Sequence, residues 1–181
     1  MADDLGLSGQ YVRLRKPRLG DAEARFALGN DPEIVRMFGV VPESLPAYTI
    51  EAARRWGAEL SAKPHAWIVE HQGRLLGEIR LDDLDSYDRR ARLAIGLYDP
   101  GKLGKGYGRD AVRLVLTHAF QALDLHRISL RVVAYNLRTI HCYKACGFVE
   151  EGREREAAFV AGEWHDDVMM GLLSHEFRAA G

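Results

Sequence analysis

The segment KLGKGYGRD, Lys102 to Asp110, carries glycine at 104, 106 and 108, with Lys105 between the first two and helix-forming residues directly after. A glycine-rich loop that opens a helix presents unpaired backbone N–H groups and a partial positive charge, with no Cβ to hold an anion away, which suits a phosphate or pyrophosphate. A Walker A loop needs a hydroxyl residue after its lysine, but Gly106 follows Lys105. A dinucleotide fingerprint needs G-x-G-x-x-G after an early strand, and neither condition is met. Three glycines alone also fit a flexible surface loop, so a second constellation carries weight. It is NLRTIHCYKACGF, Asn136 to Phe148, where Tyr143 lies seven residues beyond Asn136, two helical turns along one face, so both side chains can address one ligand. A third group is acidic: Glu78, Asp82, Asp83 and Asp85 in LLGEIRLDDLD.

The elements that must position these residues follow from periodicity. YVRLRK (Tyr11 to Lys16) alternates as a strand, and GDAEARFALGN (Gly20 to Asn30) reads as a helix. A short helix starts at Asp31-Pro32, and IEAARRWGAEL (Ile50 to Leu60) reads as a longer one. Two strands, Ala66 to His71 and Arg74 to Leu84, turn at Gln72-Gly73, and a third spans Ala91 to Tyr98. The stretch Tyr107 to Leu123 is a strong helix, with Ala111, Leu114, Val115, His118, Ala119 and Ala122 on one stripe. His118 on that stripe reads as a core histidine. A strand (His126 to Ala134), a helix (Leu137 to Ala145) and two strands (Phe148 to Phe159, Trp164 to Leu173) complete the chain. The order implies an α+β fold with a mixed, mostly antiparallel sheet of about seven strands flanked by helices. Strand 91–98, the glycine loop, the long helix and strand 126–134 form a βαβ unit, so those two strands are expected to be parallel neighbours or near neighbours.

At 181 residues with no repeat or linker, one domain over 1–181 is expected. Hydrophobic residues make up 47% and charged residues 28%, and the formal net charge is -1, so the chain offers no electrostatic footprint for nucleic acid. The start MADDLGLSGQ lacks a basic-then-apolar leader and no apolar run is long enough to span a membrane, which together predict a cytoplasmic protein. Cys142 and Cys146, four apart in a helix, read as reduced thiols; without two further ligands they are not a metal site, and no metal is expected.

LGKGYG followed, a helix and a strand later, by N-x-x-[ST]-x-x-x-Y-x-x-x-G-F resembles the GNAT superfamily of acetyl-CoA-dependent N-acetyltransferases. YVRLRKPRLGDAEARF resembles the start of its ribosomal-protein-alanine/serine (RimJ/RimL-type) branch. HAWIVEHQGRLLGEIRL fits as well, and EGREREAAFVAGEWHDDVMMGLL is also similar to spermidine N-acetyltransferases. The resemblance implies that Leu103, Gly104, Lys105, Gly106, Tyr107 and Gly108 hold the CoA pyrophosphate, with Arg109 opening the helix. Leu103 departs from the Gln or Arg of many members. It implies that Ile95, Gly96 and Leu97 lie on a strand that splays from its neighbour and pairs with the pantetheine arm, that Asn136 bonds that arm or the adjacent helix start, and that Tyr143 lies near the thioester sulfur. Members are often dimers, so a homodimer is an expectation of the resemblance, although no stripe marks an interface.

Acetyl transfer to an amine requires a neutral amine, a stabilised oxyanion and a protonated leaving thiolate. An alkyl ammonium has a pKa of about 10, so its proton must pass to a carboxylate or a water chain; Glu78 or Asp83 is the candidate, although each reads more readily as a solvated strand or loop carboxylate. Backbone N–H groups near Gly96 and Leu97 can meet the oxyanion, and the Tyr143 phenol can protonate the thiolate. Acidic residues (Glu78 to Asp85, Glu163, Asp166, Asp167) would attract a cationic amine, and Trp164 and His165 wall its pocket unless Trp164 is core. Residues 40–48 read as an irregular segment over the site. The expected acceptor is a primary amine, either a protein N-terminus or a small molecule. Polyamine acetylation, or a non-catalytic CoA-binding domain, is the alternative.

Overall fold

Among the described residues, segments along the chain assemble into a single sheet of eight strands in the order β1-β2-β3-β4-β5-β6-β8-β7. The computed structural model describes residues 6–178; the first half of the MADDLGLSGQ segment lies outside them. The strands are β1 (Leu7–Ser8), β2 (Arg13–Arg15), β3 (Ala66–His71), β4 (Arg74–Asp85), β5 (Arg90–Leu97), β6 (Arg127–Val133), β7 (Val149–Val160) and β8 (Glu163–Leu173). The helices are α1 (Asp21–Leu28), α2 (Pro32–Met37), α3 (Ile50–Ser61), α4 (Tyr107–Thr117) and α5 (Leu137–Ala145). All pairings are antiparallel except β5 with β6.

The sheet is covered on both faces. Ala111, Val112, Val115 and Leu116 of α4 are fully buried against Leu14, Ile79, Ile128 and Met170, while Leu60 of α3 packs on Ile68 and Leu75 from the other side. That double cover explains why Ala66–Val69 are all buried, where a strand with one solvated face would alternate. His118 packs edge-on to Trp67 at 5.5 Å between ring centroids, and burial lowers its pKa.

The structure differs locally from the sequence expectation at three places. A two-residue strand, β1, brings the sheet to eight. The strand expected over 11–16 shortens to Arg13–Arg15 because the amides of Tyr11 (2.7 Å) and Val12 (2.9 Å) donate to the Asp110 carboxylate at the start of α4. The long helix becomes a π turn over His118–Ala122.

β4 and β5 approach closely at Gly77, where an added Cβ would lie 1.8 Å from the Gly96 carbonyl oxygen. Gly77→Ala is expected to destabilise the protein by about 3 kcal/mol, since neither backbone can yield without breaking the ladder. Urea unfolding followed by circular dichroism checks this.

Candidate active site

The site begins where the sheet opens. β5 and β6 pair only through Arg90, Arg92 and the residue between them, against Arg127 to Ser129. From Leu93 to Leu97, β5 remains laddered to β4 while β6 continues only with β8, so alternate N–H and C=O groups of that stretch face the gap without a strand partner. A cavity of about 1120 Å³ occupies the opening. Ile95, Gly96 and Leu97 line it, as do Leu103, Gly104, Gly106, Tyr107, Gly108 and Arg109.

The loop adopts the form its composition suggested. Gly104 (φ 72°) and Gly106 (φ 87°) lie in the left-handed region, and no side chain caps the start of α4 at Gly106, leaving the first-turn amides available. The Tyr107 ring packs on His71 at 4.6 Å, fixing the first turn against β3. Lys105 does not reach the cavity and is exposed; Lys102 and Arg138 line it instead. Lys105 stands between two left-handed glycines that turn its side chain outward. Lys102 lies two positions before the first glycine, and no local pattern in the sequence distinguishes it from a solvated lysine.

α5 brings Asn136 and Tyr143 to the same cavity. Asn136 Oδ1 accepts from Thr139 N at 3.2 Å, capping α5, while its Nδ2 donates to Met37 O at 3.1 Å. Tyr135 Oη donates to Arg36 O at 2.5 Å, so two adjacent residues fasten the end of α2 over the site. Tyr143 is buried, and desolvation pushes its phenol well above the usual tyrosine range, reinforced by Cys142 and Cys146. It is therefore protonated at neutral pH. Both cysteines are free thiols; a hydrogen bond from Cys146 lowers the pKa of Cys142, which lines the cavity.

On the far face of the sheet the two carboxylates proposed from sequence separate. Glu78 is buried opposite Gly96, accepting from Trp56 Nε1 at 2.5 Å on one oxygen and from Arg80 on the other. Asp83 does not reach the cavity. A bulge between Asp82 and Asp85 puts it in the left-handed conformation (φ 52°), pointing to a separate surface depression beside Arg92, with its side chain 71% exposed. Asp82 is held by Lys63 and Arg80. Asp167 lines the cavity, as does Asp31 at the start of α2, whose carboxylate accepts from Ile34 N; Glu163 and Asp166 do not line it. Burial raises the Asp167 pKa, opposed by Arg131 and reinforced by Glu154. Trp164 neither walls the cavity nor joins the core: it is 59% exposed and packs on Phe159, while His165 packs on Tyr135. Arg25, Arg80 and Arg131 also line the cavity. Their roles were not visible in sequence, because nothing local distinguishes them from surface arginines.

The acetyltransferase (GNAT) domain family matches residues 12–149. The chain belongs to the GNAT family of acetyl-CoA-dependent N-acetyltransferases. It is 33% identical to the spermidine N(1)-acetyltransferase of Vibrio cholerae over 61% of this chain and 63% of that enzyme. It is 29% identical, over 92% of each chain, to YdaF of Bacillus subtilis, provisionally named a ribosomal N-acetyltransferase. The crystal structure of the Vibrio cholerae spermidine N-acetyltransferase in complex with CoA and spermine superposes with a TM-score of 0.77 at 27% identity, covering 92% of this chain and 97% of that one.

The residues present fit CoA. An uncapped helix start with two left-handed glycines suits the pyrophosphate, and a strand edge with open N–H and C=O groups suits an amide-bearing arm. Gly106→Ala forces a residue with a Cβ into the left-handed region, costing about 1–2 kcal/mol or displacing the first-turn amides. The Kd for CoA by titration calorimetry is expected to rise about tenfold.

Proposed function

We propose that the protein acetylates a primary amine as a single domain over 1–181, in the RimJ/RimL-type branch, with the opening between β5 and β6 as the reaction site. The observation that carries this reading is that one cavity joins the glycine loop and Tyr143 to buried carboxylates on the other side of the opening. Bound acetyl-CoA supplies the acetyl group as a thioester. Leu103, Gly104, Gly106, Tyr107, Gly108 and Arg109, with Lys102 and Arg138, hold the phosphate end, and the open edge of Ile95, Gly96 and Leu97 holds the arm. Asn136 acts by capping α5 and so orienting Tyr143.

Tyr143 gives its proton to the departing thiolate, which leaves as the thiol; burial keeps the phenol protonated until that moment. Glu78 stands beside Gly96 and takes the ammonium proton through water, since each of its oxygens retains a second lone pair. The two free thiols fit a reducing, cytoplasmic compartment. A polyamine acceptor is the second reading, favoured by the similarity to spermidine acetyltransferases. The arginines on the cavity wall weigh against it.

Mass spectrometry of products from acetyl-CoA and a mixed panel of peptides beginning with Ser or Ala, amino acids, aminoglycosides and spermidine tests the reading. Acetylated product is expected, and none from any amine would overturn it. Tyr143→Phe is expected to lower kcat about a hundredfold while leaving KM for acetyl-CoA within about twofold. An unchanged kcat removes Tyr143 from the reaction.

A further inference from the structure

The wall of the acceptor half is not simply acidic. Glu78 and Arg80 face α3 because their neighbours Ile79 and Leu81 pack on the α4 side, and Asp167 faces the same way because Val168 packs with α4. Glu78 has both oxygens engaged by Trp56 and Arg80. Asp167 and Arg25 are different. Asp167 is 4% exposed; its Oδ2 lies 3.2 Å from Arg131 Nε, and its Oδ1 is buried with no hydrogen-bond partner among the described residues. Arg25 is 7% exposed and is stacked on Tyr98 (3.8 Å) and Tyr48 (4.4 Å). Its Nη groups donate to two neutral acceptors, Gly29 O at 2.5 Å and Asn30 Oδ1 at 2.8 Å, its Nε has no partner, and no carboxylate pairs with it among the described residues.

Among the described residues three buried side-chain polar atoms lack a partner, and two of them, of opposite charge, belong to residues lining this one cavity. An unpaired buried polar group is costly, and more so when charged, so a ligand that engages both residues is selected. We infer that the acceptor is an amine that also carries a carboxylate, an α-amino acid or similar, with its ammonium on Asp167 and its carboxylate on Arg25. Ile34, Val35, Phe38 and Phe159 also line the cavity and give it apolar surface suited to an aliphatic or aromatic side chain. A polyamine would bring a second cation toward guanidinium groups, where like charges repel.

This inference rests on the reading of the cavity as an acetyl-transfer site. The test measures kcat/KM with acetyl-CoA for phenylalanine, phenylalaninamide and 2-phenylethylamine, for leucine, leucinamide and 3-methylbutylamine, and for spermidine. The amino acids are expected to exceed their amides and decarboxylated amines at least tenfold. In Arg25→Gln that ratio is expected to fall toward one, and Asp167→Asn is expected to raise KM for the amino acid at least tenfold without moving KM for acetyl-CoA. Equal turnover of acid and amide, or preference for spermidine, overturns the inference while leaving N-acetylation standing. No turnover of any amine overturns it too, and a parallel CoA titration then shows whether the cofactor half fails with it.

Discussion

The parting of β5 from β6 is the constraint on which the rest of the molecule depends. Three residues of parallel pairing register the two strands, and beyond them the sheet forgoes its ladder. Unpaired buried backbone is costly, and the open stretch is tolerable only where it lines a cavity that a ligand or water fills. β5 keeps its order because it remains laddered to β4, and β6 because β8 pairs along its whole length. Each half of the sheet is thus self-supporting. The close contact of Gly77 with Gly96 belongs to the same arrangement, locking β4 to β5 where β5 has lost its other neighbour.

The helices then act as clamps around the opening. Asp110, in the first turn of α4, accepts from the Gln10, Tyr11 and Val12 amides, so the end of the helix that presents the glycine loop is tied to the edge of the sheet. Tyr135 and Asn136 tie α2 to the corner between β6 and α5. Arg15 pairs with both oxygens of Asp21 and with Glu70, joining the start of α1 to β2 and β3. These bonds involve residues far apart in the chain. They hold the two walls of the cavity in place by charge-assisted and backbone contacts that packing alone would not specify.

Much of this was legible in the chain. Helix and strand positions agreed closely because the double-covered sheet and amphipathic α4 write strong periodicities, and the parallel relation of β5 and β6 followed from the helical crossover that joins them. The glycine loop was legible because left-handed backbone and a missing cap are local properties. The carboxylates were not. Glu78 and Asp83 stand five positions apart on one strand, and a bulge sends the second out of the site. Asp167 looked like one of several acids in a hairpin, and only its place opposite Val133 at the open end of β6 sets it apart.

The sequence by itself determined the family, and through that resemblance the class of chemistry, since the glycine loop and a tyrosine two turns from an asparagine are motifs set by spacing within single elements. The tertiary structure alone decided which charges face the acceptor. Desolvation and pairing are set by neighbours from distant strands and helices: Trp56 and Arg80 occupy Glu78, Arg131 takes one oxygen of Asp167, and Tyr48 and Tyr98 enclose Arg25. No linear pattern encodes that geometry, because the energy of a buried charge depends on what surrounds it in space.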